Sequence, residues 1–366
     1  MINAMVKTGL FTGAVVVGAA LLVGAGPTQN AAPSQVDISA LSRVVARPAP
    51  VSTLTFDAAV QTAAAMPRLY SLLVSVDGEL RAEHYFNGAT ATRPTNIKSA
   101  SKSIVATLVG IAIDRGHIPN VGEPIATYFP DMLRNAPDKS RITVEDLITM
   151  RSGLETTSNR NYGRWVQSGN WVRHVLERPL VDQPGGRMIY STGSTHLLSA
   201  ILTRATGSST LAFARSALGT PLGITLGAWT RDPQGIYLGG NEMAMRPLDM
   251  LKVGSLFLNG GRHEGRQVVS EAWVRTSVEP RTVSRFSERE YGYGWWIRTL
   301  AARPVFYAWG YGGQFIFIVP SVRTVIVVTS VSTPGSERRE HLRDVYNLVE
   351  QHVIPVAATA FPAEGD

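Results

Sequence analysis

Strand and helix patterns are distributed along this 366-residue chain in a way that constrains its fold more than any other feature. Residues 68–86, RLYSLLVSVDGELRAEHYF, form two β-rich runs around Asp77-Gly78, a dipeptide that favours a tight hairpin turn. After Glu271 several short strand patterns follow, and a helix is predicted from about Ser336 to Val353. The middle is mainly helical, with Gly and Pro separating the patterns VEDLITM, RWVQSGNWVRHVLERPL, STHLLSAILTRAT and RPLDMLKVGSLFLNG. Strands at both ends with helices between them predict an α/β fold in which a helical insertion splits one sheet layer.

Composition narrows the function classes. The chain is 44% hydrophobic and 17% charged, enough apolar surface for one large core or two subdomains that share a cleft. The net charge is +7, but no basic run is interleaved with aromatic residues, so nucleic-acid binding is not expected. The absence of cysteine excludes thiol catalysis, disulfides and cysteine-based zinc sites. The seven histidines form no HExxH pair, so a metal site is not expected either.

The N-terminal residues have a different character. Shortly after Lys7 comes the uncharged run GLFTGAVVVGAALLVGAG, with Val23 and Ala25 at plausible cleavage positions, which predicts an export signal within residues 1–26. The alternative is an uncleaved membrane anchor, because the run is near the lower length limit for a span. Residues 27–52 are rich in Pro, Ala and Ser and are expected to form a linker. In both cases the remaining domain would lie outside the cytoplasm, in the periplasm or another extracytoplasmic space, or anchored to the membrane.

The run SASK at residues 99–102 carries the chemistry most specific to this sequence. The chain has five lysines against thirty arginines, yet Lys98 and Lys102 flank Ser99 at the start of an otherwise apolar helix predicted over 101–114. Residues three apart on a helix share one face, so the hydroxyl and the amine can hydrogen-bond. An amine activates a serine only if its pKa is depressed by burial or nearby positive charge. The apolar helix, its amino end and Lys98 supply such influences, and they predict a neutral Lys102.

Spacing by itself leaves structural roles open for several of these residues. An isolated S-x-x-K is a weak pattern; Ser101 could cap the helix and Ser103 has no lysine at the required offset. Lys98 could be a solvated residue before the helix. His196 is better explained as a packing histidine than as a catalytic one. The chain contains no G-x-S-x-G, which argues against the nucleophile elbow of α/β-hydrolases.

Six ordered runs over about residues 55–355 resemble the serine β-lactamase-related hydrolases, which include class C β-lactamases, D-alanyl-D-alanine carboxypeptidases, family VIII esterases and 6-aminohexanoate-dimer hydrolase. The runs are SASKSIVATLVGIAIDRGHI, ITVEDLITMRSGL, GGRMIYSTGSTHLLSAILTRATG, GGNEMAMRPLDMLKVGSLFLNGGRHEGRQVVSEAWV, YGYGWW and YAWGYGGQFIFIVPS. The resemblance implies a β-lactamase/transpeptidase-like α/β (α+β) fold, an antiparallel sheet with flanking helices. It also implies a domain over residues 53–356 with a helical subdomain at about 117–270, and Ser99 as the nucleophile.

The family's second motif, a tyrosine followed two residues later by a polar residue, matches Tyr190-Ser191-Thr192. The resemblance implies that Tyr190 transfers protons, as a phenolate that accepts the serine proton and returns it to the leaving group. Thr192 stands in the substrate-binding position that asparagine usually occupies. Because threonine is shorter and lacks an amide, contacts from this position to a substrate amide are in doubt.

The third motif departs from the family pattern. Class C β-lactamases and their penicillin-binding relatives carry Lys-Thr-Gly where this chain has Ala308-Trp309-Gly310. The missing cation weakens an assignment to penicillins or D-Ala-D-Ala peptides. Gly310 is consistent with close approach of the backbone to a ligand. The resemblance implies an oxyanion hole from the N–H groups of Ser99 and Tyr311.

Aromatic residues near these motifs are candidates for the substrate pocket. Trp309 and Tyr311 would form an aromatic wall, with core packing of an edge strand as the alternative. Tyr162 and Trp171 are further pocket candidates, although aromatic residues between helices usually belong to the core. The stretch YGYGWW is expected to be structural.

These features together predict an exported serine hydrolase that cleaves an ester or amide through an acyl-enzyme on Ser99. The expected partner is a small-molecule ester or amide, with membrane association through the N-terminal segment as a further possibility and no nucleic acid. This reaction needs no metal or organic cofactor. The alternatives are a D-Ala-D-Ala carboxypeptidase, a β-lactamase, or a non-catalytic penicillin-binding-type receptor.

Overall fold

A computed structural model describes residues 54–361, and its centre is an eight-stranded antiparallel sheet with the order β2-β1-β12-β11-β10-β9-β8-β7. Its strands are β1 Leu69–Val76, β2 Glu79–Tyr85, β7 Thr282–Val283, β8 Glu290–Tyr291, β9 Trp296–Leu300, β10 Arg303–Gly310, β11 Gln314–Val319 and β12 Thr324–Ser330. Two small ladders lie outside this sheet: β3 Thr95–Asn96 with β4 Ala244–Met245, and β5 Arg262–His263 with β6 Arg266–Gln267. N-terminal and C-terminal strands thus pair in one sheet, as the sequence predicts.

The hairpin between β1 and β2 forms at the predicted dipeptide. Val76 pairs with Glu79, so the turn has two residues, and Asp77 and Gly78 have φ angles of 49° and 85°. Positive φ at both positions is the requirement of a type I′ turn, whose twist matches that of the flanking strands.

Helices cover both faces of the sheet. They are α1 Asp57–Ala64, α2 Ser101–Asp114, α3 Pro130–Leu133, α4 Pro137–Ser140, α5 Val144–Ile148, α6 Tyr162–Val166, α7 Trp171–Glu177, α8 Thr192–Thr206, α9 Thr210–Ala214, α10 Thr220–Leu222, α11 Pro247–Leu258, α12 Glu271–Ser277, α13 Arg338–Asn347 and α14 Ile354–Ala358. Short 3₁₀ turns are Lys98–Ala100, Ile125–Thr127, Asn159–Asn161 and Pro320–Val322, and π turns are Arg215–Gly219 and Leu348–Val353. The pattern RWVQSGNWVRHVLERPL forms two helices, because Asn170 caps α7 by accepting a hydrogen bond from the Arg173 N–H.

Successive side chains of the central strands point to opposite faces of the sheet, so the core has two layers. In β11, Ile316 and Ile318 belong to a cluster with α2, α8 and α11, whereas Phe315 and Phe317 belong to a cluster with α1 and the C-terminal helices. Residues 101–112 of α2 are all buried, as its apolar pattern predicts, so this helix lies inside the protein rather than on its surface.

Between residues 117 and 270 the regular elements are helices, apart from the two-residue strands β4, β5 and β6. The observed arrangement is the predicted α/β architecture of an antiparallel sheet with flanking helices. The predicted subdomain boundaries remain a prediction, and the predicted signal or anchor and the linker lie outside the described residues. Within residues 54–361, no helix combines the length and apolar character that a membrane span requires.

Candidate active site

Ser99 and Lys102 lie where α2 begins. Ser99 is partly exposed in the 3₁₀ turn Lys98–Ala100, which continues directly into α2, whereas Lys102 is 2% exposed in the first turn of that helix. The Lys102 Nζ atom is 3.1 Å from the Ser99 Oγ atom. The predicted spacing therefore brings an accessible hydroxyl into hydrogen-bond contact with a buried amine.

The surroundings of Lys102 favour its neutral form. Its Nζ is 2.6 Å from the Gly240 carbonyl oxygen and 3.3 Å from the Thr192 Oγ1 atom, and burial lowers its pKa from 10.5 to about 7. A neutral amine can donate to these two oxygens and keep its lone pair for the Ser99 proton. The charge of Lys98 was also expected to contribute, but Lys98 is paired with Glu242 at 2.8 Å, and burial alone accounts for the lowered pKa of Lys102.

Tyr190 completes a three-residue cluster with Ser99 and Lys102. Its hydroxyl is hydrogen-bonded to Ser99, and its ring centroid is 5.1 Å from the Lys102 Nζ atom. Burial raises the pKa of Tyr190 to about 12, so the free site holds a phenol rather than the phenolate predicted from the sequence. The physical reason is the same dry environment that neutralises Lys102. Tyr190 can therefore donate a proton, while the amine is the group able to accept one.

Thr192 contacts the lysine and a second hydroxyl. Its Oγ1 atom is 3.0 Å from the Ser158 Oγ atom, which also accepts a hydrogen bond from the Thr192 N–H at 2.8 Å. Thr192 is 4% exposed, so the structure supports positioning of Lys102 for this residue in preference to the predicted contact with substrate. Ser158 belongs to no motif, so no sequence pattern predicted its place in the site.

Gly240 is a second site residue that was not predicted, although it lies in the run GGNEM. Its φ angle is 88°, and a side chain at this position would overlap Thr195 and the methylenes of Lys102. Only a glycine therefore allows this backbone carbonyl to reach the buried amine.

Gly310, the last residue of β10, packs against the segment that carries the nucleophile. A Cβ atom at Gly310 would overlap the carbonyl oxygen of Ile97, two residues before Ser99. The close approach predicted towards a ligand is thus an approach to the protein's own backbone. This contact places the backbone between Gly310 and Tyr311 next to the turn that contains Ser99, where the predicted oxyanion hole would form. The side chain of Tyr311 is 40% exposed and has the Arg338 guanidinium 4.5 Å from its ring centroid.

Trp309 and Ala308 occupy opposite faces of β10. Ala308 is fully buried in the cluster with α2, and its methyl side chain supplies no charge in place of the missing lysine. Trp309 is partly buried, and its ring centroid is 5.7 Å from that of Trp296, which in turn stacks on Tyr190 at 5.9 Å. A row of three aromatic rings therefore runs from Trp309 to Tyr190 without Tyr311, while Trp309 also stacks on the core residue Phe315. The aromatic wall of Trp309 and Tyr311 stays a prediction.

The two remaining pocket candidates differ from each other. Tyr162 is partly buried, and its hydroxyl accepts a hydrogen bond from Asn241 Nδ2 at 2.9 Å, next to Gly240. Trp171 is 6% exposed, packs against Trp165, and donates its ring N–H to the Val166 carbonyl at 3.1 Å. The structure thus favours core packing for Trp171 over the predicted role in the pocket.

His196 has the packing environment that the sequence predicts. It is fully buried, its Nε2 atom is 3.1 Å from Asp232 Oδ2, and its Nδ1 atom accepts the Gly239 N–H at 3.4 Å. Both ring nitrogens are satisfied within the protein, and the imidazole connects α8 to the loop that contains Gly240.

Replacing Gly310 by alanine should destabilise the protein by about 1–3 kcal/mol, because the new methyl group would push β10 away from the Ile97 carbonyl. The displacement should also shift the turn that contains Ser99. Gly227→Ala is the matched control, because a methyl group there meets no atom within 4 Å. Urea unfolding of the two variants tests the prediction, and equal stabilities would contradict it.

Comparisons with known proteins agree with this geometry. The model of the Beta-lactamase family matches residues 56–351. A 6-aminohexanoate-dimer hydrolase from Paenarthrobacter ureafaciens is 28% identical over an aligned length of 296, and the alignment covers 74% of each chain. The crystal structure of a family VIII carboxylesterase superposes with a TM-score of 0.63 at 17% identity, covering 80% of this chain and 97% of the other. The penicillin binding protein from Bacillus halodurans gives 0.63 at 14% identity, covering 79% and 99%. The match over most of the domain shows that the chain belongs to the Beta-lactamase family and is a hydrolase of the serine hydrolase class.

Proposed function

We propose that this protein is an exported serine hydrolase that cleaves small linear amides and esters through an acyl-enzyme on Ser99. The observation that carries the proposal is the 3.1 Å contact between Ser99 Oγ and the buried Nζ of Lys102. An amine with a pKa of about 7 is unprotonated in a large fraction of molecules at neutral pH, so it can act as a general base. Export rests on the apolar N-terminal run of the sequence.

In the first half-reaction Ser99 Oγ attacks the substrate carbonyl carbon while its proton moves to Lys102 Nζ. The carbonyl oxygen becomes negative and is stabilised by the N–H groups of Ser99 and Tyr311. When the tetrahedral intermediate collapses, the leaving group takes the proton of the Tyr190 hydroxyl, and the Lys102 ammonium returns a proton to Tyr190. The products of this half-reaction are the acyl-enzyme and an amine or alcohol.

In the second half-reaction water attacks the acyl carbonyl and gives its proton to Lys102, which is neutral again. Collapse of the second intermediate releases the acid and returns a proton to Ser99. Lys102 and Ser99 thus take part in both half-reactions, and Tyr190 protonates the leaving group in the first.

An unpaired acceptor on Asn241, the residue after Gly240, favours amides among the substrates. The Oδ1 atom of Asn241 is buried and has no hydrogen-bond partner among the described residues, while its Nδ2 atom is held by Tyr162. A substrate amide N–H could satisfy this oxygen, whereas an ester oxygen could not. Ala308 lacks the charge that would hold the carboxylate of a penicillin. The name of the 6-aminohexanoate-dimer hydrolase relative is consistent with a linear amide.

The substrate class can be tested with p-nitrophenyl acetate, the linear dimer of 6-aminohexanoate and nitrocefin, measured side by side on the full protein. We expect turnover of the ester and the amide, and kcat/KM for nitrocefin well below both. Asn241→Ala should reduce kcat/KM for the amide more than for the ester. Nitrocefin as the best substrate would contradict the assignment.

A further inference from the structure

The ion pair between Lys98 and Glu242 joins the segment that carries Ser99 and Lys102 to the loop whose Gly240 carbonyl accepts from Lys102. Ser99 follows Lys98 in the 3₁₀ turn, and Gly240, whose carbonyl accepts from Lys102 Nζ, lies two residues before Glu242. The Lys98 Nζ atom is 2.8 Å from Glu242 Oε1, and the two side chains are 21% and 33% exposed. The nucleophile and the carbonyl that holds the base are thus on opposite sides of one partly buried salt bridge.

Asn96 extends this pair into a three-residue network. Its Nδ2 atom donates to Glu242 Oε2 at 2.6 Å, and its Oδ1 atom accepts the backbone N–H of Lys98 at 3.0 Å. Both carboxylate oxygens of Glu242 are therefore engaged by the nucleophile segment. We call these residues, Asn96, Lys98 and Glu242, the clasp.

Backbone strain at both ends of the clasp indicates that the side-chain contacts hold these segments in place. Lys98 and Glu242 have φ angles of 51° and 52°, in the left-handed region that residues with a Cβ rarely adopt. Such conformations persist only where the surroundings fix them, and they concentrate at functional sites. For Lys98 the surroundings fix all its polar groups, because the Ser101 hydroxyl also donates to the Lys98 carbonyl oxygen at 2.7 Å.

The ladder next to the clasp gives little independent restraint. Strands β3 and β4 have two residues each, and one further backbone bond runs from the Ile97 N–H to the Met243 carbonyl at 2.9 Å. So few backbone contacts leave the register of the two segments sensitive to side chains. A shift of about 1 Å between reacting groups can cost roughly 100-fold in rate.

We infer that the clasp holds the Gly240 carbonyl against the segment that carries Ser99 and so keeps the Lys102 amine directed at the Ser99 hydroxyl. Lys98 and Glu242 then act as positioning residues for acylation, an inference that rests on the proposed function. The clasp explains why a scarce lysine precedes the nucleophile. The charge of Lys98 is balanced by Glu242, so its contribution is geometric, and neither residue needs to touch the substrate.

The test measures the acylation burst with p-nitrophenyl acetate, expressed per titrated active site, for Lys98→Met, Glu242→Gln, the double variant and Lys98→Arg. We expect each single loss to slow acylation by roughly 10- to 100-fold with little change in KM, because positioning is altered and binding is not. The double variant should be no slower than the worse single variant, because both changes break one unit. Lys98→Arg should recover most of the rate, because it retains the ion pair.

Glu264→Gln is the matched control, because Glu264 also has a left-handed φ of 46° but lies in the exposed hairpin of β5 and β6, with its side chain 85% exposed. It should acylate at the wild-type rate. The inference is overturned if either single variant acylates as fast as the wild-type protein, or if the double variant shows the product of the two single effects. The nearly isosteric Glu242→Gln keeps the test decisive if Lys98→Met folds poorly. A wild-type protein that neither hydrolyses the ester nor is labelled by a fluorophosphonate would refute the proposed function instead, so the two failures are distinguishable.

Discussion

Ser99→Ala should abolish covalent labelling by a fluorophosphonate and reduce ester hydrolysis by up to about 10⁶-fold, the order of loss seen when a serine hydrolase loses its nucleophile. The reason is that the other hydroxyl in contact with Lys102 among the described residues, that of Thr192, is buried. Intact mass before and after labelling should show one adduct on the wild-type protein and none on the variant. Peptide mapping should locate the adduct on Ser99.

Ser103→Ala is the matched control for this experiment. The Ser103 hydroxyl is buried and donates to the Gly294 carbonyl oxygen at 2.6 Å, so it has a structural partner and no amine beside it. The control should be labelled as fully as the wild-type protein. An adduct that persists in Ser99→Ala, or that maps to another serine, would refute the assignment of the nucleophile.

Lys102→Met should slow acylation by about 10²- to 10⁴-fold, because the Ser99 proton would lose its acceptor. In the wild-type protein the acylation rate should rise with pH through about 7, because the amine is protonated and inactive below its pKa and neutral above it. The variant should lose this rise. Stopped-flow burst kinetics between pH 5.5 and 9 would measure both effects, and a variant with the wild-type rate and pH profile would contradict the general-base role.

Lys102→Met should also change how the free energy of unfolding depends on pH, which gives a readout independent of activity. The pKa of Lys102 is about 7 in the folded protein and 10.5 for an exposed lysine, so between these values the unfolded chain binds more protons. Wild-type stability should therefore rise with pH in this window relative to Lys102→Met, by about 1.4 kcal/mol per pH unit. Urea unfolding of both proteins at pH 7.5 and 9 gives the difference. A difference independent of pH would mean that the folded lysine titrates like an exposed one.

The contact between Ser99 and Lys102 was predictable because both residues belong to one short local structure. A spacing of three places two side chains on the same face of a helical turn, whatever the rest of the fold. Burial of α2 was predictable for a similar reason, since a helix that is apolar on all sides must lie inside the protein. The hairpin at Asp77-Gly78 follows from backbone preferences of two residues.

Tyr190 and Tyr311 are far from Ser99 in sequence, and only the resemblance to a family of known hydrolases indicated them. Gly240, Ser158 and Asn241 could not be predicted because they lie in loops, where no periodic pattern relates sequence to direction. The roles predicted for Thr192 and Gly310 differ from their contacts for a physical reason: both are packed against other parts of the protein, and packing between distant segments cannot be read from a motif. Trp171 illustrates the same point.

The most direct test of the account is the titration of Lys102 itself by NMR of protein labelled with ¹³C at the lysine ε-carbon. The chain has only five lysines, so the spectrum is simple, and the signal missing in Lys102→Met identifies the residue. We expect this signal to titrate with a midpoint near pH 7, because burial favours the neutral amine and lowers the pKa of Lys102. A midpoint near 10.5, the value of an exposed lysine, would contradict the claim that a neutral amine activates Ser99.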